Sequence, residues 1–245
     1  LVNARIRKTW LAKRIKIGVI GPEMNLNYPV KYLGAGPEML EELLNGKGAF
    51  ADMLARAQNP MIILGAGALC RADGPAIHAL ARKVAEKYNM VKEGWNGFNM
   101  LHTAASRVGA LALGFVEGTP ETWHTVEALY LLGADEIPVE KIMPGTFVIY
   151  QGHHGDRAAL RADVILPGAA YTEKNATYVN VEGRPQLARQ ALFPPGEARE
   201  DWKVIRALSE VLGKTLPYDT LADVRQRLVR ENALFADIDT VKPAA

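Results

Sequence analysis

Short apolar runs that end in glycine or proline alternate along this chain with segments of helical period. Ile15–Ile20 precedes Gly21-Pro22, Met61–Leu64 precedes Gly65, Ala128–Leu132 precedes Gly133, Phe147–Tyr150 leads to Gly152, and Val164–Leu166 precedes Pro167-Gly168. Continuous runs of this kind suit strands buried on both faces, as in parallel sheets. Between them, Asp73-Gly74-Pro75 opens a helix, with a cap-type residue and then a proline in the first turn, where a missing N–H costs nothing. Ile77, Leu80, Ala81, Val84 and Tyr88 follow at helical spacing. Pro37 starts another helix with Leu40, Leu43 and Leu44 inward. Leu101, Ala104, Ala105, Val108, Leu111 and Ala112 line a third, whose small residues predict close packing against a sheet.

Near the C-terminus Trp202, Ile205, Leu208 and Leu212 form a stripe that stops at Gly213, a good residue to follow a helix end. This stripe predicts that Trp202 anchors its helix in the core, so that Trp202→Ala costs about 3–5 kcal/mol. Thr220-Leu221-Ala222-Asp223 resembles a capping box, with Leu221, Val224 and Leu228 following. Arg189–Arg199, with Pro194-Pro195-Gly196, reads as a connector, and Asp237–Ala245 shows no period and reads as a loose tail. Strands alternating with helices predict an α/β fold with a right-handed, doubly wound, mostly parallel sheet.

Composition narrows the function classes. With 245 residues and 49% hydrophobic content the chain can fill a real core. A formal charge of +2, without a basic stripe interleaved with aromatics, argues against nucleic acid as a partner. No apolar segment approaches the roughly 20 residues needed to cross a bilayer, so no direct membrane insertion is expected. The chain starts at Leu1 with Asn3, Arg5, Arg7 and Lys8 close behind and no apolar stretch typical of a signal peptide, which suggests a piece of something longer. The single cysteine, Cys70, excludes a disulfide within the chain and an iron–sulfur cluster held by about four thiolates. Following the apolar run Met61–Leu69, Cys70 reads as a small buried hydrophobe.

In a doubly wound sheet, ligands bind outside the carboxyl ends of the strands. Four segments fall at such ends: Gly65-Ala66-Gly67, Gly133-Ala134-Asp135, Gly152-His153-His154-Gly155-Asp156 and Pro167-Gly168. Gly65 and Gly67 would let a phosphate approach the backbone, but the third glycine of a dinucleotide fingerprint is missing, so the match is weak and the pair reads as a tight strand-to-helix turn. His153 and His154 with Asp156 invite a metal reading, yet neighbours on an extended chain point to opposite sides, and His78, His102 and His124 have no partner at ligand spacing. Only two serines occur, Ser106 and Ser209, and neither sits in a nucleophile elbow. The stretch Ile165–Gln186 carries Glu173, Lys174, Asn175, Thr177, Asn180, Glu182 and Arg184, groups that can satisfy a tight loop or fix a polar ligand; both readings stay open on the residues alone.

"ADVILPGAAYTEKNATYVNVEGRPQ", Ala162–Gln186, resembles the signature of the molybdopterin oxidoreductase superfamily, and "LGADE", Leu132–Glu136, resembles that family's Gly-Ala-Asn/Asp element. More narrowly, "LVNARIRKTW" (Leu1–Trp10), "YQGHHGD" (Tyr150–Asp156), "LPGAAYTEKNATYVNVEGR" (Leu166–Arg184) and "PPGEAREDWKVIRALSEVLGKTLPYDTL" (Pro194–Leu221) are similar to the large iron–sulfur subunit of respiratory complex I, of the mitochondrial and α-proteobacterial type. The resemblance implies a molybdopterin oxidoreductase or formate dehydrogenase-like fold retained without a molybdenum cofactor. It implies that this is a cofactor-free, non-catalytic part of a subunit whose 2Fe-2S and 4Fe-4S clusters sit in a ferredoxin-like N-terminal part absent here. The partners it implies are that N-terminal part and other peripheral-arm subunits. The location it implies is the cytoplasmic face of a bacterial inner membrane, equivalent to the mitochondrial matrix side. Residues 1–48 would be the remnant of a preceding α/β domain, 49–167 a Rossmann-like domain, 168–236 a return segment with C-terminal helices packing on the preceding α/β domain, and 237–245 a tail. Gly65, Gly67, Gly133, Asp135, His153, Glu173, Thr177, Asn180, Glu182 and Arg184 would mark a vestigial crevice. Ala176 stands before Thr177 where molybdoenzymes often have glycine, so an added methyl would crowd a ligand there.

Overall fold

The computed structural model describes residues 1–116 and 125–240. Its contacts group into two compact units, Leu1–Thr103 and, from Ala104 on, the remainder of the described chain. The segment 49–167, expected as one domain, therefore contributes to both.

The first unit opens with α1 (Val2–Lys13), a helix without a buried residue, followed by the parallel pair β1 (Gly18–Ile20) and β2 (Lys31–Gly34). α2 (Glu38–Leu44) and α3 (Ala49–Arg56) lead to β3 (Ile62–Leu64), the single-turn α4 (Ala66–Leu69) and α5 (Gly74–Lys87). A short hairpin, β4 (Val91–Lys92) with β5 (Trp95–Asn96), then delivers β6 (Phe98–Met100), which pairs parallel to β3 with Ile62 opposite Phe98. The helix between two parallel strands is the crossover that the alternating pattern predicts. Ile77, Ala81, Val84 and Tyr88 of the α5 stripe are buried against Leu40, Leu43, Ala51, Leu64 and Met90. Tyr88 reaches across to donate to the Leu43 carbonyl at 2.6 Å, tying α5 to α2, and burial raises its pKa. Gly74 is obligatory at the start of α5, since a Cβ there would stand 2.0 Å from the Leu69 carbonyl oxygen.

Two expectations fail locally in this unit. Asp73 does not cap α5 through its side chain; the carboxylate instead receives Arg71 at 2.7 and 2.8 Å. Cys70 is exposed, because α4 ends after one turn and the chain leaves the core at that point.

The second unit contains α6 (Arg107–Ala112), then three parallel strands in the order β7 (Ala128–Leu132), β8 (Phe147–Gly152) and β9 (Val164–Pro167), with α7 (Arg157–Arg161) crossing between the last two. One face of this sheet buries Leu131, Val148 and Tyr150 against Ile142, Ala158 and Ala159. The chain then forms an antiparallel hairpin, β10 (Ala176–Val179) with β11 (Pro185–Ala188), before α8 (Asp201–Val211) and α9 (Leu221–Glu231). The architecture is thus α/β with parallel sheets, as the alternating pattern predicts.

The third expected helix is shorter than its stripe: α6 begins at Arg107, Leu101–Ser106 is irregular, and Leu111 is exposed. Its close approach falls at Gly109, where a Cβ would come within 3.3 Å of Val179 on β10. Trp202 is half-buried and α8 buries no residue fully, so the stripe is not a core face. α9 carries the expected capping box, the Thr220 hydroxyl accepting from the Asp223 amide at 3.2 Å and the Asp223 carboxylate from the Thr220 amide at 2.8 Å. The tail is not loose where it is described. Asp239 accepts from the Leu187 amide at 2.8 Å and its own amide donates to Pro185 at 3.1 Å, holding the chain against β11. Residues 241–245 lie outside the described residues.

Candidate functional site

The carboxyl ends of β7, β8 and β9 converge on a polar cluster. Gln151, next to last in β8, is wholly buried, although it is a polar residue in an otherwise apolar strand. A buried amide needs partners for each of its groups. Its Oε1 accepts from Tyr130 on β7, and its Nε2 donates to Asp201 Oδ1 at 3.0 Å and to the Asp201 carbonyl at 3.3 Å. Lys174 donates to the other carboxylate oxygen of Asp201. Burial, then the nearby Asp201 charge, raises the Tyr130 pKa.

The backbone that holds Asp201 here extends the sheet edge. Gly168 and Arg199 form a parallel bridge, the Arg199 amide donating to Pro167 at 3.1 Å and the Ala169 amide to Arg199 at 2.9 Å. The side chain of Glu200 receives Lys203 at 2.8 Å, Trp202 Nε1 at 3.2 Å and the Asn175 amide at 3.5 Å. Burial alone would raise the Glu200 pKa, but Lys203, with those amide and indole donors, holds it below the usual range. Two clefts adjoin the cluster. One of about 450 Å³ is lined by Asn175, Gln190, Phe193, Arg199, Glu200 and Lys203, and one of about 240 Å³ by Lys174, Thr177, Tyr178, Glu200, Asp201 and Trp202.

The residues singled out in the sequence are distributed unevenly around this cluster. Gly65 and Gly67 belong to the first unit, where neither backbone angle nor crowding demands glycine, since among the described residues nothing beyond their chain neighbours lies within 4 Å of an added Cβ. Gly133 follows β7 at φ +58°, a left-handed turn suited to glycine, and its amide donates to the Gln151 carbonyl at 2.7 Å. Asp135 Oδ2 accepts from Tyr150 at 2.6 Å while its Oδ1 is buried with no hydrogen-bond partner among the described residues. Burial and that carboxylate push the Tyr150 pKa up. Gly152 is fixed by the same tyrosine, whose hydroxyl would lie 2.3 Å from a Cβ.

His153 and His154 do not point apart as an extended chain would place them. β8 has ended at Gly152, and the exposed rings meet edge to face at 4.4 Å. No group of three His, Cys, Asp or Glu side chains converges among the described residues. His78 packs on Phe98 at 5.8 Å; His124 lies outside the described residues.

The signature stretch is a well-built hairpin. Glu173 accepts from the Ala170 amide at 2.9 Å, and Asn180 Oδ1 accepts from the amides of Glu182 and Arg184 at 3.0 and 2.9 Å. Arg184 and Glu182 pair at 3.8 Å, and Gly183 takes φ +77° to close the turn. Thr177 sits on β10 opposite Leu187. Sequence reasoning missed Tyr130, Gln151 and Asp201. The one signal available was a glutamine closing an apolar strand run, which a buried partner must answer.

The donor set does not fit an iron–sulfur cluster, which takes about four thiolates, since the one thiol is Cys70 at the surface of the first unit. Of the signature side chains, Asn180 accepts from amides of its own turn, and Glu182 and Arg184 face each other at 3.8 Å.

Residues 1–211 match the molybdopterin oxidoreductase family, and the chain belongs to that family. Among named relatives, it is 43% identical over 100% of its length to "NADH dehydrogenase [ubiquinone] iron-sulfur protein 1, mitochondrial" of Solanum tuberosum. It is 44% identical over 99% of its length to the "NADH-ubiquinone oxidoreductase 78 kDa subunit, mitochondrial" of Neurospora crassa, and 48% identical over 94% to the "NADH-ubiquinone oxidoreductase 75 kDa subunit" of Reclinomonas americana. The chain spans 33–34% of the length of these relatives. Among the described residues, no helix is long and apolar enough to cross a membrane.

Proposed function

We propose that this chain is a structural, cofactor-free part of the large iron–sulfur subunit of an NADH:quinone oxidoreductase. It braces the cluster-bearing N-terminal part of that subunit and neighbouring peripheral-arm subunits on the cytoplasmic or matrix side of the membrane. The parent passes electrons from NADH through flavin and iron–sulfur clusters to quinone, coupled to proton translocation; this segment carries none of those centres. The observation that carries the reading is the 43–48% identity along nearly the whole chain to subunits of that name. The internal pairing of the signature side chains supports the cofactor-free part of it. Affinity purification from membranes of the native host should recover the segment within a polypeptide about three times its length, inferred from its 33–34% coverage of the relatives, together with NADH dehydrogenase activity. Stoichiometric iron or molybdenum in the isolated 245-residue chain would overturn the cofactor-free reading.

A second reading, a residual nucleotide or pterin site, is favoured by Asp135 Oδ1, buried and without a hydrogen-bond partner among the described residues, beside the open turn at Gly133. A thermal-shift panel of guanine nucleotides and pterins separates the two. A specific shift in the wild-type chain supports the second reading, and a flat panel supports the brace.

A further inference from the structure

The carboxylate of Asp201 divides its two oxygens between two donors from different elements, Oδ1 to Gln151 Nε2 and Oδ2 to Lys174 Nζ. Neither donor has another side-chain acceptor among the described residues, and the one remaining acceptor for Gln151 Nε2 is the Asp201 carbonyl at 3.3 Å. Gln151 is 0% exposed, and the side chains of Lys174 and Asp201 are 20% and 29% exposed. The site also fits closely around the carboxylate: a Cβ on Gly168 would stand 3.1 Å from Oδ1. The 240 Å³ cleft bounded by Lys174, Asp201 and Trp202 connects it to solvent.

We propose that Asp201 is a built-in ligand. Its carboxylate fills a site for a small carboxylate at the carboxyl edge of β7–β9, made by Lys174 and Gln151, and thereby closes that edge to outside anions. The proposal rests on the cofactor-free reading for why the edge is closed.

A buried donor left without an acceptor costs more than its bond gains, so the wholly buried Gln151 requires an acceptor here, and the partly buried ammonium of Lys174 makes an anionic one favourable. The two oxygens are bridged by separate donors, so the site selects a carboxylate over a spherical anion such as chloride. A carboxylate tethered to the first residue of α8 has a high effective concentration, so a free competitor is excluded while Asp201 is present. The adjoining Glu200–Lys203 pair is already matched and adds no net attraction for an incoming anion.

The test is thermal unfolding of the intact chain as wild type, Asp201→Ala and Asp201→Ala with Lys174→Ala. Each is measured in sodium chloride and in sodium formate at equal ionic strength. Asp201→Ala should lower Tm by roughly 4–8 °C in chloride, the range expected for a partly buried charged partner in a chain of this size. Formate should restore at least about half of that loss along a saturating curve, as mass action requires. Wild type should not respond, and the added Lys174→Ala should abolish the response.

Equal curves in formate and chloride, or the same formate shift in wild type, would overturn the proposal. If Asp201→Ala folds only in formate, the proposal stands; if it folds in neither, Asp201→Ser carries the same comparison, and absence of a formate effect there overturns it. A nucleotide or pterin shift in wild type would instead sink the cofactor-free reading, so the two failures are distinguishable.

Discussion

The core around α5 and the C-terminal helices α8 and α9 are held by different means. In the first unit, Ala81, Val84 and Met90 are buried to 1% exposure or less, and the helix stripe meets a complementary apolar wall from α2, α3 and β3. α8 and α9 bury no residue fully, and Val211 and Leu212 stand exposed at the end of α8. What fixes these two helices locally is polar: Asp201 in the Gln151–Lys174 site, Arg206 to Glu210 at 2.9 Å and to Asp219 at 3.2 Å, and the Thr220–Asp223 box. An apolar stripe is therefore a necessary sign of a core-facing helix and an insufficient one, since burial also needs a surface to receive it.

Three substitutions test this contrast. The largest effect belongs to Met90→Ala, which empties a site with 1% exposure and should cost about 2–5 kcal/mol, read by urea unfolding and by lost amide protection along α5. Trp202→Ala should cost about 1–2 kcal/mol, since a half-buried ring returns only part of a full side-chain burial. A loss near that of Met90→Ala would mean that α8 is packed as tightly as α5.

The smallest effect is Thr220→Ala, at about 1 kcal/mol, seen as fraying of the first turn of α9 by amide exchange. Its pH dependence is the sharper readout. The Thr220 hydroxyl, then the backbone amides of Thr220 and Asp219, lower the Asp223 pKa, so its folded value lies below its unfolded one. The stabilisation is complete above the unfolded value and disappears as pH falls through the folded one. Protection of the α9 amides should therefore drop below about pH 4, and Thr220→Ala should flatten that drop. An unchanged acid profile in the variant would remove the box as its cause.

Much of the first unit was legible because its signals are local. The Ile77–Tyr88 spacing lines one side of a helix whatever it packs on, and Pro37 and Pro75 mark helix starts through their missing N–H. β7 could be read to the residue from Ala128 to Leu132 because turn chemistry bounds it at Gly133. The site was far less legible. Glu173, Asn180, Glu182 and Arg184 stood out as ligand candidates because they are polar and close in sequence, yet each meets a neighbour within a few residues: Glu173 the Ala170 amide, Asn180 the amides of Glu182 and Arg184, and Glu182 the Arg184 side chain. Cys70 failed for a related reason: an apolar run says that a segment enters the core, not where the chain turns out of it.

The alternation of strand and helix, the α5 stripe, the α9 cap and, through its long motifs, membership of the molybdopterin oxidoreductase family are all readable from the order of residues. Each is written in neighbours within a few residues or in an unbroken string of them. That Tyr130, Gln151, Lys174 and Asp201 meet is a product of the fold, because they come from β7, β8, the loop before β10 and the start of α8. A buried glutamine announces that a partner must exist, but which residue answers is set by how the sheet edge brings distant segments together.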